Sequence, residues 1–276
     1  MNLPPNNLAT VVKAKTFDQY TLPSIGTPSG MPINVTRTPT DDLRVRQAIQ
    51  FAVDQKKLVS QTLFDVYTPA HSVLTPTTSG YSKESAGLYQ YDPTRAARLL
   101  EQAGWSGSTG TRTKGGRPLH LDILYYTNAG LDVPIQFVSS ELTKVGFDVS
   151  INSGPFASVS SSFNKGVHNL ASFGYFGTDP YLLNIWVNSN AIKSGFNWSH
   201  YSNPAVDRAI AKANATADDS SRNSQYEAIS MTLMKDSVYL PLWNVNFPYT
   251  GVKGLTGLQP TLNAYELFNS AMLAAS

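Results

Sequence analysis

The residues best placed to do chemistry run from Phe173 to Pro180, as Phe173-Gly174-Tyr175-Phe176-Gly177-Thr178-Asp179-Pro180. An apolar stretch ends there in aromatic rings, a glycine and a carboxylate. Tyr175 and Phe176 offer apolar walls to a solute, and Asp179 offers a carboxylate to a cationic group. Asp179-Pro180 also opens a helix through Trp186. Thr178 or Asp179 therefore reads equally well as a helix cap, and the rings as core.

Catalytic constellations fare worse. The nearest approach to Gly-x-Ser-x-Gly is Gly104-Trp105-Ser106-Gly107-Ser108, where the second glycine is misplaced and the segment follows a helix instead of a strand. It reads as a helix end followed by a loop. His71, His120, His168 and His200 are far apart, and none has the i, i+4 partner of a helical zinc site. They are expected to be surface or hydrogen-bonded structural histidines. Gly107–Gly110 and Lys114-Gly115-Gly116 lack both the strand-to-helix setting and the following Gly-Lys-Ser/Thr of a phosphate cradle. The sequons at Asn34, Asn197 and Asn214 are short enough to arise by chance. Neither metal, cofactor nor catalytic residue is expected.

Composition narrows the partners. The chain has 276 residues with a net charge of +2, and charged residues make up 14% of it, against about 25% in an average soluble domain. The cations are scattered, so the basic stripe of a nucleic-acid binder is missing. With no cysteine, disulfides, thiol nucleophiles and Cys-based zinc sites are excluded. No run of 18 apolar residues and no signal-peptide pattern is found in this sequence.

The elements that must position Phe173–Asp179 are read from periodicity and caps. The first forty residues, rich in proline and glycine, read as short strands at Thr10-Val11-Val12 and Ile33–Thr36 with their connections. Asp42 caps a helix whose face is Leu43, Val45, Ala48, Ile49 and Ala52, and Asp54 caps a second through Leu63. Asp92-Pro93 starts a third that stops at Gly104. Trp105–Arg117 reads as an exposed loop or hairpin. Leu119, Leu121, Ile123 and Tyr125 alternate as a half-buried strand; a helix covers about 131–145; Phe147, Val149 and Ile151 alternate again. An amphipathic segment from Phe156 to Phe163 and one apolar strand from Leu170 to Tyr175 follow. Asn203-Pro204 and Asp218-Asp219 open two more helices, and Val238–Trp243 is a strand leaving the domain. The fold class is α/β, with a mixed sheet flanked by helices. In such a sheet ligands gather where strand C-termini meet helix N-termini, as they do around Tyr175.

Several of these segments together resemble one family, the extracellular solute-binding proteins of peptide- and nickel-type ABC importers. They are Asp42–Ile49 with Ala52-Val53-Asp54, Tyr91-Asp92-Pro93 through Ala103-Gly104-Trp105, Tyr201–Pro204 with Asp207, and Leu240-Pro241-Leu242. Their order and spacing agree with the family along nearly all of the chain, but only with the C-terminal half of a full member. The resemblance implies a periplasmic-binding-protein-like clamp of two lobes that closes on a solute. It assigns 40–236 to the C-terminal lobe, 1–39 to a remnant of the N-terminal lobe with the first hinge strand, and 237–276 to the return hinge strand with a second remnant.

The resemblance further implies a peptide or similar small polar solute, delivery to the transmembrane subunits of an ABC permease, the missing N-terminal lobe as partner, and no enzymatic activity. It places the protein outside the cytoplasm, in the periplasm or lipid-anchored, with an export signal expected upstream of Met1. Family members commonly carry Gly-Trp and then an Asp-containing loop that reaches the solute. Here Tyr175 holds the Trp position and the loop is shorter, leaving Thr178 and Asp179 as candidates for that Asp. Lys165–Leu170 replaces the usual Gly-aromatic-Asp pattern, and Phe156 falls where an aromatic often lines the pocket. The expected ligand-binding residues are Phe156, Tyr175, Phe176, Gly177, Thr178 and Asp179. Two other readings are a hydrolase or transferase domain near Tyr175–Asp179 using Asp179, His168 or Ser106, and an adhesive module whose aromatics form a flat contact patch.

Overall fold

Side-chain caps fix where most of the main helices begin. In the computed structural model, which describes residues 5–14, 17–22, 25–107, 109–127, 130–256, 259–260, 266–267 and 272–273, Asp42 accepts the Arg44 amide at 2.9 Å and starts α1 (Leu43–Ala52). Asp54 accepts Lys57 N–H at 3.0 Å to start α2 (Gln55–Thr62), and Asp92 accepts Arg95 N–H at 2.8 Å to start α3 (Pro93–Gln102). Next come α4 (Asp132–Lys144), α5 (Phe156–Lys165) and the short α6 (Leu182–Trp186). Asn203 caps α7 (Pro204–Asn214) and Asp218 caps α8 (Asp219–Lys235). Each cap satisfies an amide that the helix itself cannot.

The strands form two principal sheets. Strand β1 (Thr27–Pro32), the short β2 (Thr68–Pro69), β3 (His120–Tyr126), β4 (Asp148–Gly154), β5 (Leu170–Ala171), β6 (Phe173–Tyr175) and β7 (Tyr239–Asn244) carry the fold. One sheet is parallel, in the order β4-β3-β5, and its register pairs His120 with Asp148 through to Tyr126 with Gly154. The other is antiparallel, in the order β2-β7-β1-β6, with Tyr239 opposite Pro32 and Thr27 opposite Tyr175. The mixture of strand directions expected of one sheet is thus divided between two, which meet at a bridge from Ile33 to Leu170. β3 alternates half-buried and buried residues, with Leu121, Ile123 and Tyr125 inside. Behind it α4 packs on α1 and α2, and the core runs continuously from Met31 to Trp243.

Four expectations are corrected. Thr10-Val11-Val12 lies inside a helix (Pro5–Lys13), where Pro5 at the first position is tolerated and Thr10 Oγ1 donates back to the Asn6 carbonyl. Ile33–Thr36 makes only the one bridge and then turns, because Asn34 Oδ1 captures the Thr36 amide. The strand at Leu170–Tyr175 breaks at Ser172 and changes sheets, pairing with β3 before the break and β1 after it. Trp105 and Arg112, placed in an exposed stretch by composition, are buried: Arg112 donates to the carbonyls of Val145 and Trp105 at 2.9 and 3.2 Å. The hairpin part of that stretch is present, pairing Thr113–Lys114 with Arg117–Pro118. β4 lies at a sheet edge, so Ile151 on it is exposed although the sequence alternates.

Candidate functional site

The parallel strands reach their C-terminal ends together, at Tyr126, Gly154 and Ala171. From β3 the chain moves outward to β4, then crosses back over β3 to β5, so the direction of connection reverses there. A reversal of this kind leaves a crevice at the strand ends. Two residues past β4, Phe156 starts α5. Two residues past β5, Phe173 starts β6, which ends in Tyr175.

The rings around these strand ends touch one another. Phe156 meets Tyr126 edge-on with centroids 5.8 Å apart and Trp198 at 6.2 Å. Trp198 stacks on Phe163 at 4.3 Å and meets Phe196 at 5.5 Å; Phe196 meets Tyr175 at 6.2 Å. Phe156 and Tyr175, some twenty residues apart in sequence, therefore belong to one continuous array. Phe156 is 47% exposed, while Tyr175, Tyr126 and Phe196 are half-buried and Trp198 is buried. Pairs of this geometry gain about 0.5–1.5 kcal/mol beyond their burial.

Buried polar groups hold the array in place. Asn197, between Phe196 and Trp198, donates to the carbonyls of Val187, Asn188 and Tyr201 at 2.9–3.1 Å. His168 Nε2 donates to the Trp198 carbonyl at 2.9 Å, and Trp198 Nε1 to Asn164 at 3.2 Å. Burial depresses the His168 pKa to about 4, a push reinforced by His200 and Arg37 and opposed by the Trp198 carbonyl and Asp122. His168 is thus the neutral Nε2–H tautomer at neutral pH. Asn34 and Asn197 are both buried and hydrogen-bonded, which removes two of the three sequons as sugar acceptors.

The loop after Tyr175 is placed by a glycine and an ion pair. Gly26 has a φ of +100°, and a Cβ there would stand 2.3 Å from the Tyr175 carbonyl and 2.8 Å from the Gly177 amide. Only glycine lets the two backbones approach this closely. Asp179 accepts the Tyr181 amide at 2.7 Å and binds the Arg222 guanidinium from α8 at 2.5 Å. These two contacts outweigh partial burial and lower its pKa, and Arg222 is raised in turn, chiefly by its hydrogen bond to Asp179. Asp179 thus closes a tight turn ahead of α6, which begins at Leu182 with Tyr181 at its cap position and no side-chain cap, later than the Asp-Pro pair implies. Phe176, Thr178 and Asp179 are exposed and Gly177 is half-buried.

The sequence pointed to Phe156 and Tyr175 but missed Tyr126, Phe196 and Trp198. The last two flank Asn197 in an irregular segment, where no periodicity betrays them; the one cue is the clustering in Phe196-Asn197-Trp198. The alternative catalytic group is not assembled. Asp179 is paired with Arg222, His168 with the Trp198 carbonyl, and Ser106 with Thr113. Among the described residues no cluster of three His, Asp or Glu could hold a metal, and no helix is long and apolar enough to cross a membrane. Two open depressions of about 590 and 390 Å³ lie elsewhere, one beside the hairpin at Lys114 and Arg117, the other around Arg112 and Gly146. In the first, Asp42 and Lys114 are already engaged, by Arg44 and by the Ala103 carbonyl.

The family described as bacterial extracellular solute-binding proteins, family 5, middle region, matches residues 1–194. The chain belongs to this family. Relatives among curated solute-binding proteins include the nickel-binding periplasmic protein of Escherichia coli K12, 27% identical over 76% of this chain and 41% of that protein. The periplasmic oligopeptide-binding protein OppA of Haemophilus influenzae is 28% identical over 95% of this chain and 49% of its own length. The chain thus spans less than half of these family members. Crystal structures of the solute-binding proteins NikA from Brucella suis, in complex with Fe(III)-EDTA, and AppA from Bacillus subtilis, with a nonapeptide, share its fold. Their TM-scores are 0.87 and 0.82, at 22% identity over 99% of this chain and 56% of each of theirs.

Proposed function

We propose that this chain supplies one jaw of a solute-binding clamp that serves an ABC importer, and that the ring array at the C-terminal ends of β3, β4 and β6 is the face it turns to the solute. The observation that carries this reading is the coincidence of that array with the crevice at the connection reversal. Phe156, Tyr175 and Phe176 are its contact residues, with Gly177, Thr178 and Asp179 forming the loop beside them. Residues 40–236 form the jaw. The segments 1–39 and 237–276 carry the hinge strands, β1 and β7, which lie side by side and antiparallel, together with remnants of the opposite lobe. The solute is a peptide or another small polar molecule, taken outside the cytoplasm and passed to a permease.

Binding closes the clamp by as much as the solute prefers the closed form. A single jaw leaves one face of the solute in water and forfeits half of the contacts. Calorimetry of this chain with a tripeptide and with a nickel–histidine chelate is expected to give no heat below about millimolar concentration, near −4 kcal/mol of binding free energy. A form with both lobes binds one of them at micromolar or better. Submicromolar binding by this chain alone, or turnover of a peptide or ester by it, refutes the reading.

A further inference from the structure

The segments that carry the rings, 125–126, 154–163, 173–186 and 196–198, contain a single charged residue, Asp179. Its carboxylate is taken by Arg222 and by the Tyr181 amide, and Arg222 is held from behind by the Tyr226 ring at 5.4 Å. The charge therefore sums to zero where the loop meets α8. The other fixed polarity is the start of α5, which has no side-chain cap; its open amides are the positive end of a helix, the wrong sign for an ammonium group. Exposed apolar area in these segments is concentrated on Phe156, Phe176 and Tyr181, each about half exposed.

Resting on the solute-facing role proposed above, we infer that this jaw reads its solute as an uncharged wall. It selects a molecule with an aromatic or flat apolar face and leaves a free α-amino group unread. Ring stacking gives the selectivity, because a planar face gains contact with Phe156 and its neighbours while an ammonium group finds no unpaired carboxylate within these segments. The ion pair to Arg222 is what silences Asp179.

The test uses the chain labelled with ¹⁵N, following the Trp198 indole N–H signal. The probes are the dipeptide Phe-Phe amide, its N-acetylated form, and Gly-Gly amide as a ringless control. Phe-Phe amide and its acetylated form are expected to move the signal with midpoints within about twofold of each other, and Gly-Gly amide to leave it in place. Raising NaCl from about 0.05 to 0.5 M should not weaken either, since no exposed ion pair is being screened. In Arg222→Gln the unpaired Asp179 should favour the amine form over the acetylated one by about two- to fivefold, the span of an exposed ion pair. An amine preference of about tenfold in the unaltered chain, or loss of binding with salt, overturns the inference and leaves the solute-facing role standing. If no ring-bearing probe moves the signal at tens of millimolar, above the roughly millimolar affinity expected of one jaw, the solute-facing role fails and the inference falls with it.

Discussion

Acidification should loosen the ring array through His168. This side chain is buried, gives Nε2–H to the Trp198 carbonyl, and has at Nδ1 no hydrogen-bond partner among the described residues. A proton added at Nδ1 would be an uncompensated charge in a ring-lined interior. Unfolded, the histidine titrates near 6.5; folded, near 4. The unfolded chain therefore binds more protons between those two values, and stability is full above about pH 6.5, falls as pH drops toward 4, and levels off below. At about 1.4 kcal/mol per pH unit the whole gap is worth about 3 kcal/mol, of which about 2.5 is lost between pH 7.5 and 4.5. His71, also depressed by burial, acts in the same direction, and His120, raised by Asp148, acts against it. The measurement is therefore a difference: urea unfolding at both pH values for the unaltered chain and for His168→Gln, which keeps a donor for the Trp198 carbonyl but cannot be protonated. The variant should lose about 2.5 kcal/mol less than the unaltered chain on acidification. Equal losses in the two proteins would refute the claim that burial keeps His168 neutral.

Three further outcomes are expected. Gly26→Ala should cost more than about 1 kcal/mol in chemical denaturation and shift the Tyr175 resonances, because the new methyl meets the Tyr175 and Gly177 backbones at a positive φ. Phe156→Ala, at a half-exposed ring that touches Tyr126 and Trp198, should cost about 1–2 kcal/mol, whereas Trp198→Ala, at a buried one, should cost about 3–5 kcal/mol by the same urea assay. NMR titration should place His120 above its ordinary 6.5, since Asp148 and Asp122 hydrogen-bond its ring at 2.7 and 3.2 Å; Asp148→Asn should bring it down. That contribution to stability is present below 6.5 and fades as pH rises through the elevated folded value.

Helix starts at Asp42, Asp54, Asp92, Asn203 and Asp218 were legible because a cap is a bond between neighbours, encoded within three residues. The β3-α4-β4 unit was legible for a similar reason, its periods being local. What escaped depends on distant partners. The break at Ser172 exists because β1 competes with β3 for the strand that follows it, and nothing within Leu170–Tyr175 names β1. Ile151 alternates correctly yet stays exposed, because alternation does not say whether a layer covers the face. For the candidate site, sequence order and family resemblance single out Phe156 and Tyr175, and the fold joins them through one ring array. Trp198 is held by His168, which donates to its carbonyl, and by Asn164, which accepts its indole N–H, and only the folded chain brings these near. Asp179 reads in the sequence as a carboxylate for a solute or as a helix cap, and its observed partner, Arg222, lies 43 residues away on α8, beyond the reach of local pattern.

The change of sheets at Ser172 also decides what Tyr175 moves with. Past that residue the backbone is no longer fastened to β3; Thr27 and Tyr175 face each other across a ladder shared with β7. If β1 and β7 are the hinge strands proposed above, Tyr175 is paired directly to the fulcrum while Phe156 stands farther out on the jaw. Any swing of one part against the other would change the spacing of these two rings first, so a label on each would register the stroke directly.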